Sequence, residues 1–208
     1  MQSKILAAAV ALAMPFPVRG AEPGPEIGLR TGFSLPFGSL AQNSGSLSDG
    51  FTGFVPIGAE LGWRFTPNLY VGAAFSYAFG LTKNCPPGDS CSGHDIGLGI
   101  DLRYHVQPDE RIDPWVGVGA GYEWLGLSQT SGGSTTDLRL DGFEFVHAEA
   151  GADFVASRNV RVGPFLQFAV GQYKGANASS GGASFSGDIA NKTLHEFLTF
   201  GARLRFLL

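Results

Sequence analysis

Few residues in this 208-residue chain have the type and spacing that chemistry needs. His147 and Glu149 are two positions apart, so in an extended segment they share a face, and Glu123 is the carboxylate placed to oppose them. An imidazole between carboxylates is the minimum set for acid–base or metal chemistry. Packed polar interiors use the same residues, so no catalytic, metal-binding or cofactor-binding role is assigned to them. Gly117-Val118-Gly119-Ala120-Gly121 has the glycine content of a phosphate loop, but its spacing is strictly two and no Lys-Ser/Thr follows. No Gly-x-Ser-x-Gly elbow exists. The remaining pairing for acyl chemistry is His195 with Ser184 or Ser186. Cys85 and Cys91 are the only cysteines, and they flank the turn-rich Pro86-Pro87-Gly88-Asp89-Ser90. Two sulfurs with no second pair do not make a structural zinc site. A disulfide closing a small ring is expected instead.

A disulfide needs an oxidising compartment, and the N-terminus supplies the address. Lys4 precedes an unbroken apolar run over 5–14, and Val18-Arg19-Gly20 precedes a cut before Ala21. This is the pattern of a secretory signal peptide, and the run is too short to span a membrane. Residues 1–20 are therefore expected to be removed, leaving residues 21–208 as one domain. Lys4 and Arg19 go with the signal, so the mature chain carries 12 basic against 18 acidic residues. That acidic balance excludes a nucleic-acid partner. Glycine, 31 of 208 residues, is abundant and charged residues are only 15%.

The elements that must position these residues read as strands. Ile27, Leu29, Thr31, Phe33, Leu35 and Phe37 occupy every second position, a period of two with one apolar face. The pattern recurs over 55–65, 69–81, 96–106, 116–124, 146–154, 160–170 and 198–208, which makes eight strands. Connections at 66–68 and 156–159 are short, and that at 107–114 is of medium length. Those at 38–54, 82–95, 127–143 and 174–193 are long and rich in Ser, Gly, Asn and Thr. Alternating short and long connections mark an up-and-down barrel of a bacterial outer membrane, and hydrated loop tips are expected on the long side.

A soluble barrel and a membrane barrel share this alternation, and the non-apolar face separates them. A water-facing surface carries Lys and Glu. Here Lys83, Lys174 and Lys192 all fall in the long connections and none in a strand. The strand charges are Arg30, Arg64, Arg103, Arg161, Arg203 and Arg205 against Glu60, Asp101, Glu123, Glu149 and Asp153. A near-balanced set separated by glycines suits a crowded, paired lumen, because buried charges need partners. The expectation is an interior charge network of these residues with His147. Leu98 then faces lipid and Gly99 the lumen, and Asp153 and Arg161 are expected to pair across the turn at 156–159. Trp63, Phe65, Tyr104, Trp124 and Phe206 near strand ends are expected to form interfacial girdles.

Over residues 26–208 the chain resembles the small eight-stranded outer-membrane barrels of the OmpA and OmpX type. The resemblance rests on the eight alternating segments, on 160–173, and on the end Phe200-Gly201-Ala202-Arg203-Leu204-Arg205-Phe206-Leu207-Leu208. It implies an all-β, antiparallel, transmembrane barrel in outer-membrane lipid. It also implies that the barrel-assembly machinery reads the last strand. The pattern here departs slightly, with Phe206 two places before the final Leu208. The expected role is non-enzymatic, structural or binding through the surface loops. A narrow pore and a lipid-modifying enzyme are the alternatives.

Overall fold

The computed structural model describes residues 22–41 and 45–208; the expected signal segment 1–20 lies outside the described residues. The elements are β1 (Gly24–Gly38), α1 (Leu47–Gly50), β2 (Phe51–Arg64), β3 (Leu69–Thr82), β4 (Ser90–His105), β5 (Ile112–Ser131), β6 (Ser134–Val155), β7 (Val160–Ser180), β8 (Ala183–Asp188) and β9 (His195–Leu207). Each strand pairs antiparallel with its chain neighbour from β1 to β7, and β9 closes the ring between β7 and β1. The closing seam runs from Glu26 opposite Leu207 to Gly38 opposite His195. The protein is an all-β, closed, eight-stranded antiparallel barrel, with β8 outside the ring.

Alternation sorts the side chains as a membrane requires. Ile57, Leu61 and Ile100 point outward and are 56%, 63% and 68% exposed, while Arg64, Arg103 and Arg205 point inward at 0%. An apolar outside and a charged inside invert a soluble protein, and only lipid satisfies such a surface. Leu98 is 54% exposed on this belt. Its neighbour Gly99 faces the opposite way, where an added Cβ would lie 2.9 Å from the Ala120 carbonyl oxygen. Trp63, Phe65 and Tyr104 are exposed beside the short turns, and Trp124 at the other end. Lipid-facing aromatics at both boundaries form the girdles that anchor a barrel.

The long connections differ from the expectation in two ways. First, much of 127–143 and 174–188 is strand. β5 and β6 continue past the belt to a turn at Gly132-Gly133, with φ of 55° and 83°. β7 and β8 meet through Gly181-Gly182, at 56° and 86°. Two consecutive positive-φ residues make the tight turn whose twist matches a hairpin. Lys174, expected in a loop, therefore lies on β7. The outer parts of β5, β6, β7 and β8 form a four-stranded wall. Its β6 share, residues 134–141, extends about 25 Å along the strand at ~3.3 Å per residue. The Ser- and Thr-rich sequence hides these strands because water on both faces removes the period-two signal.

Second, the connection after β1 turns into the barrel mouth. Ser46 caps α1 by accepting from the Ser48 amide, and Asp49 accepts from the Ser46 amide in return. This sets Leu47, 2% exposed, into an apolar cluster with Phe51, Phe54, Ala78, Leu125, Leu140 and Tyr173. The Phe51 and Phe54 rings lie 4.5 Å apart at a tilt of 38°, and Phe54 meets the edge of Phe197 at 5.7 Å. The barrel therefore has a plugged outer mouth above a charged interior.

Candidate functional site

The interior charges are arranged in tiers. At the turn end, Glu26 of β1 bridges three arginines: Arg64 Nη2 at 3.0 Å, Arg205 Nη1 at 3.0 Å and Arg203 Nη2 at 3.4 Å. Arg205 also reaches Asp153 Oδ2 at 2.7 Å and Asp113 Oδ2 at 3.6 Å. His105 Nδ1 lies 2.8 Å from Asp113, and its Nε2 lies 3.2 Å from the Arg205 guanidinium. Arginine can only donate, so Nε2 accepts, Nδ1 carries the proton and this imidazole is neutral.

The middle tier centres on Arg103, whose side chain is fully buried. Its Nη1 and Nη2 grip both oxygens of Glu60 at 2.8 and 2.6 Å, Nη2 reaches Asp101 at 2.7 Å, and Nε reaches Glu149 at 2.5 Å. The planar fork suits such two-point contact. Tyr70 and Trp115 flank the guanidinium, with ring centres at 5.3 and 5.4 Å. Arg203 adds a contact to Glu60 at 2.8 Å, and Arg30 approaches Glu149 and Glu60 at 3.5 and 3.6 Å. The glycine ladder makes room for this tier. A Cβ at Gly117 would lie 2.9 Å from both Arg103 Cγ and Glu149 Oε1, and one at Gly119 would overlap the His147 ring.

His147 begins the upper tier, with Nε2 3.0 Å from Asp101 and Nδ1 against Glu144. A bulge sets this up. The β6–β7 register skips Phe145, so Phe145 and Val146 both face lipid while Glu144 stays near His147. Glu123 crosses to β9 and bonds His195 Nε2. Between this tier and the plug lies a cavity of about 90 Å³ lined by Arg30, Ser76, Asp95, Glu123, Glu144, His147 and Thr199, among others.

All twelve residues expected in the network face the interior, eleven of them in the tiers described and Arg161 beside the turn end. Asp153 and Arg161 do not pair. Asp153 meets Arg205, whereas Arg161 donates to the Pro108 carbonyl at 2.6 Å and lies 4.0 Å from Asp113. Val155 stands opposite Arg161, so Asp153 lies one diagonal step away, and Arg205, directly opposite Arg161 on β9, takes its carboxylate instead. Glu26, Asp95, Asp113 and Glu144 escaped the sequence reading, and His105, on the inward face of the run 96–106, was not counted in the network. Glu26, Asp95 and Asp113 fall just beyond the apolar runs used to define strands, and the bulge breaks the period at Glu144. His195 meets Glu123, while Ser184 and Ser186 sit exposed on β8, so no Ser/His pair forms. Cys85 and Cys91 are bonded, with Cα atoms 5.8 Å apart.

Among the described residues, two sets converge as a metal site would, Asp101 with His147 and Glu149, and His105 with Asp113 and Asp153. Neither fits a metal ion. Arg103 already binds the carboxylates of the first and Arg205 those of the second, and a cation there would face a buried guanidinium.

The sequence matches no protein-family model, and no curated protein matches it. Solved structures do match. Neisserial surface protein A is 13% identical, with a TM-score of 0.57 over 89% of this chain and 97% of that one. A major outer membrane protein from Thermus thermophilus is 15% identical, with a TM-score of 0.57 over 88% and 99%. OprG from Pseudomonas aeruginosa is 12% identical, with a TM-score of 0.53 over 90% and 99%. The fold is that of the small bacterial outer-membrane barrels.

Proposed function

We propose that the protein is a non-enzymatic, non-conducting barrel of the bacterial outer membrane that presents its β5–β8 wall as a binding surface. The observation that carries this reading is the filling of the lumen at two levels. Arginine–carboxylate tiers occupy the turn end, and the Leu47, Phe51 and Phe54 plug occupies the mouth. An eight-stranded barrel has little lumen to spare once side chains fill it. The wall is ordered, polar and held clear of the lipid, as a recognition surface must be. Export by the segment 1–20 and insertion by the barrel-assembly machinery belong to the same reading.

Planar-bilayer recording tests the first half, with no steady conductance expected from the refolded barrel; a stable open level would establish the pore reading instead. Replacing 127–138 by a short turn tests the second half. The shortened barrel should still fold, yet cells displaying it should lose attachment to host or matrix surfaces that bind the intact protein. Equal attachment by both forms would remove the wall from the function.

A further inference from the structure

The outer ends of β3 and β4 part before either strand stops. Their ladder closes at Gly80 opposite Gly93. Beyond it β3 stays with β2, where Thr82 stands opposite Phe51, while β4 stays with β5, where Cys91 stands opposite Gln129. Across the gap the Thr82 hydroxyl donates to the Cys91 carbonyl at 3.4 Å. The covalent tie across it is the Cys85–Cys91 bond.

The arm that leaves β4, Lys83 and Asn84, is also what holds α1. A helix leaves its last carbonyls without partners inside itself. Here the Lys83 amide donates to the Gly50 carbonyl at 2.8 Å, Lys83 Nζ to that of Ser48 at 3.3 Å, and Asn84 Nδ2 to that of Asp49 at 3.2 Å. Asn84 does so from a left-handed backbone, with φ of 59°, which Asn tolerates. The far side of the disulfide ring is fixed to the wall, where Asp89 Oδ2 accepts from Gln129 Nε2 at 2.8 Å. The disulfide therefore joins the arm that carries the plug to a strand already locked in the barrel ladder. Cys85 and Cys91 are partly exposed, and Pro86, Pro87 and Gly88 beside them are fully so, which leaves the bond open to small solutes.

We propose that the Cys85–Cys91 disulfide is a redox-sensitive latch on the plug. Oxidised, it keeps Lys83 and Asn84 on the α1 carbonyls and Leu47 in the mouth. Low-molecular-weight thiols in the medium open it. Two thiol groups give two electrons and two protons to the sulfur pair, which becomes two free thiols, and the reductant leaves as a disulfide. Residues 83–89 are then an open connection with many more conformations to occupy. The α1 carbonyls lose their fixed partners, and α1 loosens from the mouth above the cavity of about 90 Å³. The arginine tiers lie deeper and make no contact with the ring, so the lumen below stays filled in either state.

The test follows amide hydrogen exchange of the refolded barrel in detergent before and after dithiothreitol, with thiol titration to show that the bond has opened. Reduction should lower the protection of 46–51 by about tenfold or more and leave 96–106 and 146–154 unchanged. K83M/N84G removes two of the three bonds to α1, keeps the disulfide, and places Gly where φ is positive. It should loosen 46–51 with no reductant present. Equal protection of 46–51 in the oxidised and reduced barrels would overturn the proposal. A loss of protection throughout the barrel would overturn it too, by making the bond a staple of the whole fold. So would a disulfide that dithiothreitol fails to open in the folded protein. Full protection in K83M/N84G would remove the arm as the link and refute the latch equally.

Discussion

Arg103 is the residue on which the interior depends most. It is fully buried and holds Glu60, Asp101 and Glu149 at once. Arg103→Met keeps the volume but leaves three carboxylates facing one another. Breaking a buried pair by removing one partner costs about 3–5 kcal/mol, and urea unfolding in lipid vesicles should show a loss at least that large. A loss near zero would mean that water already screens the tier. The register makes a second residue-scale prediction. Asp153 and Arg205, at 2.7 Å, should couple by about 1–3 kcal/mol in a double-mutant cycle, while Asp153 and Arg161 should add within about 0.5 kcal/mol. The inward face was legible because Arg30, Glu60, Arg103, Glu149 and Arg203 alternate with apolar residues. Pairing was not, because partners such as Glu26 and Arg205 are 179 positions apart and meet only through ring closure.

The membrane-spanning parts of the strands were legible wherever lipid and lumen pulled alternate residues apart. The wall was not, since Thr135 or Ser179 meets water on either face of its strand. Within the membrane, Leu98→Arg should cost about 2–4 kcal/mol in the same unfolding assay. Gly99→Ala should be penalised by crowding against Ala120 instead, and a fluorophore at 98 alone should report lipid. In the wall, the Gly132-Gly133 turn admits Asn at its first position, but Gly133→Val forces a β-branched residue to a φ of 83°. Gly132→Asn should leave amide-exchange protection of 127–138 intact, and Gly133→Val should lower it. At the disulfide ring, hydrogen bonds from Ser131 and Gln129 hold the Asp89 carboxyl below its ordinary pKa. A lowered folded-state pKa stabilises above the ordinary carboxylate range and ceases to do so as pH falls through the lowered value. Gln129→Ala should therefore raise the Asp89 midpoint in an NMR titration, and an unmoved midpoint would show that the contact does not persist in solution.

At the scale of the molecule, a closed barrel resists detergent until boiled, so the folded protein should migrate anomalously on a gel before heating. Recovery as a detergent-free soluble monomer would refute the membrane reading. The plug escaped the sequence reading because Leu40, Leu47, Phe51 and Phe54 lie in a Ser- and Gly-rich stretch with no strand period. Their apolar character was the one available signal. The seam between β1 and β9 also governs how the molecule comes into being. Synthesis delivers β1 first and β9 last, so the outer edge of β1 stays unpaired until nearly the whole chain has been made. Unpaired strand edges invite association with other chains, and contacts between distant segments form slowly. The same Glu26 that faces Arg203 and Arg205 across this seam spends the interval without them. Every intermediate short of β9 is thus an open, apolar, sticky sheet bearing an unmatched carboxylate, and there is no half-built form for the cell to store. A stop codon ahead of His195 should yield aggregate or degraded chain in place of a smaller barrel.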